Sequence, residues 1–593
     1  MASHAMKSVG AGMPATGTCG SRHAGDGTLR YRRDSSRCHG SSHKEEVLPS
    51  PVMQWNLWEP ACRRRHPPLP PRPRSLPWQL PQVLPFPAIQ SLHASFRTGR
   101  KKSVRMSTVP RRTKIIATLG PATDAPGSLE GVLGAGVDVV RLNFSHGDKA
   151  HHAQRIARVR SIANRLGREI GVLADLGGPK IRIEKFAEGR VMLVADQAFT
   201  LDCRADAPPG DSDAVGCSYL GLPGDVKAGD TLLLDDGLIA LRVDAVDGSA
   251  IRTTVLTSGK LSDRKGLNRL GGGLSLGALT DKDRVDIVTA AELGVDFIAV
   301  SFCRSAADMH ETRALAVAAG STAHLVAKIE RTEAIENLGE IIDASDAVMV
   351  ARGDLGVEIG DAELPGLQKK IIRESLARNK LVITATQMLQ SMVDSPIPTR
   401  AEVLDVANSV IDGTDAVMLS QETAAGSYPQ KAVEAMSRIC LGAERQFRMD
   451  TDFEHAPRNL QRVDQAIAMA TMFLAEHIEV RAILALTESG STARWLSRFR
   501  SNAPIFALSR HDGARRRMAM MRDVFPIAFD SRGLPPAQAA RVAIKQLFDS
   551  GNLAVDDRVM ITSGDHMEQR GSTNTLRMLR VGAEGVAEGM GSL

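Results

Sequence analysis

The stretch AVMVARGDLGVEIGDAELPGLQKKIIRESLARNKLVITATQM, residues 347–388, decides the fold. It opens on a short apolar run and closes on another, LVITATQM (381–388). Between them lies LPGLQKKIIRESLARN (364–379), a helix-like segment that mixes apolar and charged residues. Two buried runs joined by an amphipathic helix read as a parallel strand–helix–strand unit. The same unit recurs in both directions. Upstream stand KIIATLG (114–120), VDVVRLNFS (137–145), IGVLADLGG (170–178), VDFIAVSF (295–302) and HLVAKIE (324–330), and downstream stands AVMLSQET (416–423). With the two runs of the opening stretch that makes eight, the signature of an α/β chain folded as a (β/α)₈ TIM barrel.

The third and fourth runs are too far apart for one crossover. The gap, residues 183–276, holds DG and GD turns and alternating segments such as TLLLDDGLIALRV (231–243), which predict a small inserted β domain, a β-barrel lid. The barrel then occupies 107–182 and 277–446. From 455 to 593 a further αβ alternation predicts a C-terminal regulatory domain, with strands in AILALTE (482–488), PIFALSR (504–510), VFPIAFD (524–530) and RVMITSG (558–564).

Charge separates the beginning of the chain from the rest. The whole chain of 593 residues carries a formal +6, but residues 1–105 hold 17 Lys+Arg against 5 Asp+Glu, so the remainder is mildly acidic. Residues 1–106 are rich in proline and arginine, show no sustained periodicity, and are expected to be a disordered tail. The mean hydropathy is −0.12 and no long apolar run is present, so no membrane partner is expected. A nucleic-acid partner would have to use the tail alone, and none is expected. Seven cysteines without a CxxC spacing do not make a disulfide framework, which points to the cytoplasm.

Barrel chemistry gathers at the C-terminal ends of the strands. Side chains two apart on a strand share a face. The second run offers Arg141, Asn143 and Ser145; the third Asp175 and, beyond it, Arg182; the fifth Lys328 and Glu330. The sixth ends in Gly353-Asp354, the seventh carries Thr384 and Thr386, and the eighth ends with Ser420 and Glu422. Charges inside apolar strands are costly unless paired or bound to an ion. The carboxylates Glu330 and Asp354 suit Mg²⁺, with Mn²⁺ as a substitute. The cations Arg141, Arg182, Lys265 and Lys328 suit an anionic substrate. A metal site ringed by cations reads as phosphoryl transfer, where positioning and charge neutralisation carry the reaction.

The segments RLNFSHG, DLGGPKIR, VAKIER, ARGDLGVEI, ITATQML, SPIPTRAEV, DGTDAVMLSQETAAGSYP and GSTNT together resemble the pyruvate kinase family, in family order, from about Thr113 to Val581. The resemblance implies transfer of the phosphoryl group of phosphoenolpyruvate to ADP, giving pyruvate and ATP. It implies that Lys328 lies against the migrating phosphoryl group, that Arg141 contacts its oxygens, and that Glu330 and Asp354 bind Mg²⁺. Gly353, Asp354 and Thr386 would hold the substrate carboxylate, with Thr386 and Ser420 near the enolate's proton source. Asn143, Ser145, His146, Arg182 and Lys265 would approach the nucleotide, Lys265 from the lid. Cys303 reads as packing. A homotetramer is the family expectation.

One departure is informative. Many family members bind K⁺ beside a DTKGPEIRT motif. Here residues 175–183 read DLGGPKIRI, and Lys180 places a fixed ammonium where a glutamate would help recruit the ion. The expectation is an enzyme that does not require K⁺, similar to the proteobacterial K⁺-independent class. In TESGSTARW (487–495), Thr487, Ser489, Ser491 and Thr492 form a strand–turn–helix able to cradle a phosphate, with Arg510 and Arg515 to Arg517 adding charge. The companion segment TSGDHMEQRGSTNT (562–575) suits a sugar monophosphate or AMP better than a bisphosphate. Two alternatives remain at this point. One is a Mg²⁺-dependent barrel lyase on a pyruvate-like acid, which would need neither the lid nor Arg182. The other is an inactive binding protein using the tail.

Overall fold

The computed structural model describes residues 110–446, 460–499, 502–566, 568–569 and 571–589. The basic segment read as a disordered tail lies outside the described residues. All eight runs form strands: Lys114–Thr118, Val139–Asn143, Gly171–Asp175, Phe297–Val300, His324–Ile329, Ala347–Ala351, Leu381–Ala385 and Ala416–Leu419. They close into a parallel barrel in which the first strand pairs with the eighth through Lys114↔Ala416. The third pairs directly with the fourth, Leu173 facing Phe297, although the inserted residues separate them in sequence.

Strand periodicity sorts the apolar side chains into two cores. Ile115, Val140, Leu142, Val172, Ile298, Leu325, Val348 and Val417 pack against the surrounding helices. The alternate residues Ile116, Val139, Leu173, Phe297, Val326, Met349, Ile383 and Met418 belong to a second core. The helices start where capping chemistry permits. Thr280 and Thr399 each accept a backbone N–H three residues on and receive a carboxylate in return, at Asp281–Glu292 and Arg400–Asp412.

Between the third and fourth barrel strands the insertion forms a six-stranded sheet, in the order Leu267–Arg269, Thr231–Leu234, Ile239–Asp247, Ala250–Val255, Ala198–Asp202, Ala214–Gly216. A second, two-stranded sheet pairs Gly259–Ser262 with Arg190–Leu193. This part has its own core around Phe199, Leu201, Leu232, Leu241 and Ile251. Its root is a bridge between Arg182 and Gly266 and another between Ile183 and Cys217.

The C-terminal sheet runs Val524–Ala528, Ile505–Ser509, Ala482–Leu486, Arg558–Gly564, Thr573–Val581, Ala587–Gly589. The first four strands, those read from the sequence, are parallel; the antiparallel edge pair was not foreseen. This sheet docks on the N-terminal ends of the barrel strands. The Lys114 ammonium donates to the Val524 carbonyl at 2.6 Å, and Arg516 pairs with Asp296 at 2.8 Å. Arg498 grips Asp415, which is fully buried. The second barrel core continues through Met472, Ile483, Ile505 and Met560, so barrel interior and C-terminal sheet share one apolar interior. Among the described residues no helix is long and apolar enough to cross a membrane.

Candidate active site

The opposite end of the barrel gathers the charged residues singled out from the sequence. Arg141 leaves the second strand and donates from Nε to Asp175 Oδ2 at 2.6 Å, and from Nη1 to Thr118 at 3.1 Å. Lys328, on the fifth strand, reaches Glu330 at 2.9 Å, Asp175 at 3.3 Å and the Ser301 hydroxyl at 2.6 Å. Arg141, Asp175, Lys328 and Glu330 thus alternate in sign across three strands. Glu330 also accepts the Phe302 N–H at 2.8 Å.

Burial and neighbours set the charge states. Burial alone would push Asp175 up, but Lys328 and Arg141 outweigh it and hold the carboxylate below its ordinary range. Lys328 is pulled the other way. Burial opposes its charge, yet Asp175 and Glu330 keep the ammonium more firmly protonated than an exposed lysine. Glu330 is shifted up by its burial, with Lys328 opposing and the negative charge of Asp354 adding to it. Two neighbouring hard carboxylates, Glu330 buried and Asp354 partly exposed, are a donor set suited to a divalent ion. Among the described residues there is no group of three or more metal-binding side chains. Two carboxylates therefore fit an ion such as Mg²⁺ or Mn²⁺ that takes its other oxygens from substrate and water.

Asp354 sits near the start of helix Arg352–Ile359, which follows the sixth strand at once. Its carboxylate is paired with Lys180 at 2.7 Å. The residue expected to replace a monovalent cation therefore has as its partner one of the two carboxylates expected to bind Mg²⁺. The Gly353 N–H donates to Thr386 Oγ1 at 2.8 Å, and that hydroxyl donates to the Ala385 carbonyl at 2.6 Å. The N–H assigned to the substrate carboxylate is thus engaged within the protein in this state. Thr386, Gln387 and Phe302 have φ of 66, 53 and 55°, left-handed conformations that cost free energy and gather at functional sites. Gly178 (φ +62) is required by space as well. A Cβ there would lie 2.8 Å from both Phe302 Cδ2 and Ser301 Cβ.

The remaining candidates are spread around this cluster. Asn143 accepts the Ser145 N–H at 3.0 Å, and His146 is exposed just beyond. Arg182 lies at the root of the insertion, where it donates to the Arg264 carbonyl at 2.9 Å. Lys265 pairs with Asp235 at 2.8 Å inside the insertion. Ser420 donates its N–H to the buried Glu422 at 2.6 Å. Cys303 donates to the Lys328 carbonyl at 3.2 Å, and burial pushes its thiol up, which matches packing. Sequence reasoning gave no role to Ser301 and left Asp175 unassigned. Their signal was a polar residue ending an otherwise apolar run.

In the C-terminal sheet Thr487 Oγ1 accepts the Gly490 N–H at 3.0 Å, and Thr492 hydrogen-bonds Thr573 at 2.7 Å. Ser491 opens helix Ser491–Arg498, and Ser489 lies in the turn before it. The strand order places this loop where the chain, having moved outward from 482–486, jumps back to 558–564 on the other side, a topological switch point. Arg515 and Arg516 do not add charge to that loop. They turn to the barrel residues Glu169 and Asp296, because their helix, Asp512–Met518, contacts the third barrel strand.

Fold and site together define a barrel phosphotransferase: strand-end carboxylates for a divalent ion, flanked by cations for a phosphoryl group. The family models for the pyruvate kinase barrel domain and the pyruvate kinase alpha/beta domain match residues 110–433 and 465–579. Pyruvate kinase II of Salmonella typhimurium is 52% identical over 487 residues, covering 80% of this chain and all of the relative. A pyruvate kinase of Haemophilus influenzae is 48% identical over 474 residues, 79% of this chain and 98% of the relative. The crystal structure of a pyruvate kinase from Cryptosporidium parvum matches with a TM-score of 0.74 at 34% identity, over 79% of this chain and 96% of that one. The chain belongs to the pyruvate kinase family. Its activity is the transfer of the phosphoryl group of phosphoenolpyruvate to ADP, with pyruvate and ATP as products, and the lyase and inactive-protein alternatives fall away.

Proposed function

We propose the following division of labour among the residues at the barrel mouth. Lys328 and Arg141 neutralise the equatorial oxygens of the phosphoryl group as it passes from the enol oxygen to the β-phosphate of ADP. Glu330 and Asp354 hold Mg²⁺, or Mn²⁺ in its place. That ion, when bound, supplies further positive charge to the oxygens of phosphoenolpyruvate. Thr386 gives up the Gly353 N–H to the substrate carboxylate and, with Ser420, borders the face where the enolate takes its proton. Asn143, Ser145 and His146 from the barrel and Arg182 and Lys265 from the insertion face the nucleotide. The insertion acts as a lid that keeps water from the migrating phosphoryl group.

The observation that carries this reading is the alternating array Arg141–Asp175–Lys328–Glu330 at the strand ends. The two cations are already in place and already charged, so the site need not reorganise as charge moves. Replacing Lys328 by Met is expected to lower kcat by about 10²–10³-fold. It also strands Asp175 and Glu330 without their cation, at a cost of about 3–5 kcal/mol in stability. Coupled pyruvate formation and thermal unfolding measure the two effects, and a variant that folds and turns over normally refutes the assignment.

The domain boundaries proposed are 107–182 with 277–446 for the catalytic barrel, 183–276 for the lid and 455–593 for the regulatory part. The loop at Thr487–Thr492 is proposed to bind a phosphorylated effector, a sugar monophosphate or AMP. The active form is proposed to be a homotetramer in the cytoplasm.

A further inference from the structure

The insertion contains a pair of cysteines that no step of phosphoryl transfer uses. Cys203 follows strand Ala198–Asp202, and Cys217 follows strand Ala214–Gly216. These strands are parallel neighbours in the register Thr200↔Ala214, Leu201↔Val215, Asp202↔Gly216, so one step further Cys203 lies beside Cys217. The ladder continues there, with the Cys217 N–H donating to the Asp202 carbonyl at 2.9 Å. Adjacent strands stand about 4.8 Å apart. That spacing falls within the Cα separation of about 4.4–6.8 Å that a disulfide spans. The two thiols are free and buried.

The pair is not sealed off. Cys217 lines a cavity of about 480 Å³ whose wall also carries Glu184, Lys185, Arg204 and Arg264. The neighbouring Cys203 thiol holds the Cys217 thiol below its ordinary value against the effect of burial, while Cys203 itself is raised. Cys303 and Cys440, by contrast, are single and buried in the barrel, and burial raises both, Cys440 to about 12.

We propose that Cys203 and Cys217 form a peroxide-sensitive dithiol at the root of the insertion. The Cys217 thiolate attacks one oxygen of hydrogen peroxide; the O–O bond breaks and the departing hydroxide takes up the proton lost by the Cys217 thiol and leaves as water. Cys217 is then a sulfenic acid. The Cys203 sulfur attacks it, forming the S–S bond and breaking the S–O bond. The Cys203 proton leaves with the hydroxide as a second water. For hydrogen peroxide the balance is two thiols oxidised by two electrons and one peroxide reduced to two waters. The bond lands at a mechanically relevant place. Cys217 is bridged to Ile183, and the Ser218 N–H donates to the Arg182 carbonyl at 2.9 Å, so the disulfide ties the sheet to the strand by which the chain enters the insertion.

The test treats the full-length reduced enzyme with hydrogen peroxide, alkylates remaining thiols, and maps unreduced peptides by mass spectrometry. The expected result is a cross-linked Cys203–Cys217 peptide that a dithiol reductant restores. In Cys203→Ser, with Cys203→Ala as a second variant, Cys217 instead stops at the sulfenic acid and is trapped by a diketone probe, while the reduced variants keep wild-type turnover. Alkylated Cys203 and Cys217 after the other thiols have oxidised, or Cys217 found only as sulfinic acid, overturns the site. Hydrogen exchange reads the mechanical consequence. The Ser218 amide is expected to exchange about tenfold more slowly in the cross-linked enzyme, and equal rates overturn the link to the root of the insertion.

Discussion

At the scale of single residues the site is a problem of charge compensation. Three cations at the mouth of the barrel are paired with carboxylates: Arg141 with Asp175, Lys328 with Asp175 and Glu330, Lys180 with Asp354. In the proposed reading phosphoenolpyruvate would compete for these cations, and Glu330 and Asp354, so released, would hold the divalent ion. Lys180 is the residue proposed to change the ion requirement. An ammonium tethered 2.7 Å from Asp354 is a permanent charge that no concentration of monovalent ion can dilute. Turnover in sodium or Tris buffer is therefore expected to stay within about twofold of turnover with added KCl, since a fixed cation needs no replacement. A strong stimulation by K⁺ in coupled assays contradicts that role. The strand-end residues were legible in the sequence because charge in an apolar run is conspicuous. The Lys180–Asp354 pair was not, because the two residues lie 174 positions apart and nothing local links them.

At the scale of elements, helix Arg352–Ile359 ties Asp354 to the root of the insertion. It places Asp354 in its first turn, and Glu358 one turn on. Glu358 is buried and accepts the Thr332 N–H at 3.0 Å, while its carbonyl accepts the Gly271 N–H at 2.9 Å. Nearby, Glu333 accepts the Gly273 N–H at 2.6 Å. Burial, with Glu333 close by, pushes Glu358 up from the ordinary 4.5 to about 7, although the Thr332 N–H opposes the shift. The folded protein thus keeps a proton that the unfolded chain releases between pH 4.5 and 7. The stabilisation from this group is complete below that window and fades as pH rises through it. Integrated over the window the effect is up to ~3 kcal/mol. Glu358→Gln removes the titration, so the wild type is expected to lose thermal stability relative to the variant between pH 5 and 7.5. Parallel melting curves across that range would falsify the assignment. The elements themselves were readable, because a period of two or of 3.6 is a local property. The antiparallel edge pair of the C-terminal sheet escaped for the same reason: Thr573–Val581 alternates weakly and its partly buried pattern depends on the sheet it joins.

At the scale of the whole molecule the barrel and C-terminal sheet share one apolar interior, whereas the insertion has its own. The Arg498–Asp415 pair locks that joint, and Asp415 also accepts the N–H groups of Val382 and Arg522 at 3.0 and 3.1 Å. Asp415→Asn leaves Arg498 buried without its counter-charge and is expected to cost about 3–5 kcal/mol. Calorimetry should show barrel and C-terminal part losing stability together while the insertion's transition stays in place. The same helix that carries Arg498 begins at the loop proposed to hold the effector. A phosphorylated ligand there is thus coupled to the barrel by one rigid element. In thermal-shift titrations a sugar monophosphate or AMP is expected to raise Tm more than fructose 1,6-bisphosphate, and the reverse order overturns the proposed ligand class.

The sequence by itself determined the eight-stranded barrel, the insertion after its third strand, the C-terminal αβ alternation and the residues that meet at the barrel mouth. These follow from local periodicity and from charges placed where apolar residues prevail. Only the tertiary structure decided that Asp175 joins Arg141 to Lys328, that Lys180 pairs with Asp354, that Arg515 and Arg516 turn to the barrel, and that Cys203 stands beside Cys217. Each of those pairings is set by strand register and barrel closure. Such contacts join residues with no fixed spacing along the chain, and their free energy is realised only once the intervening segments have folded.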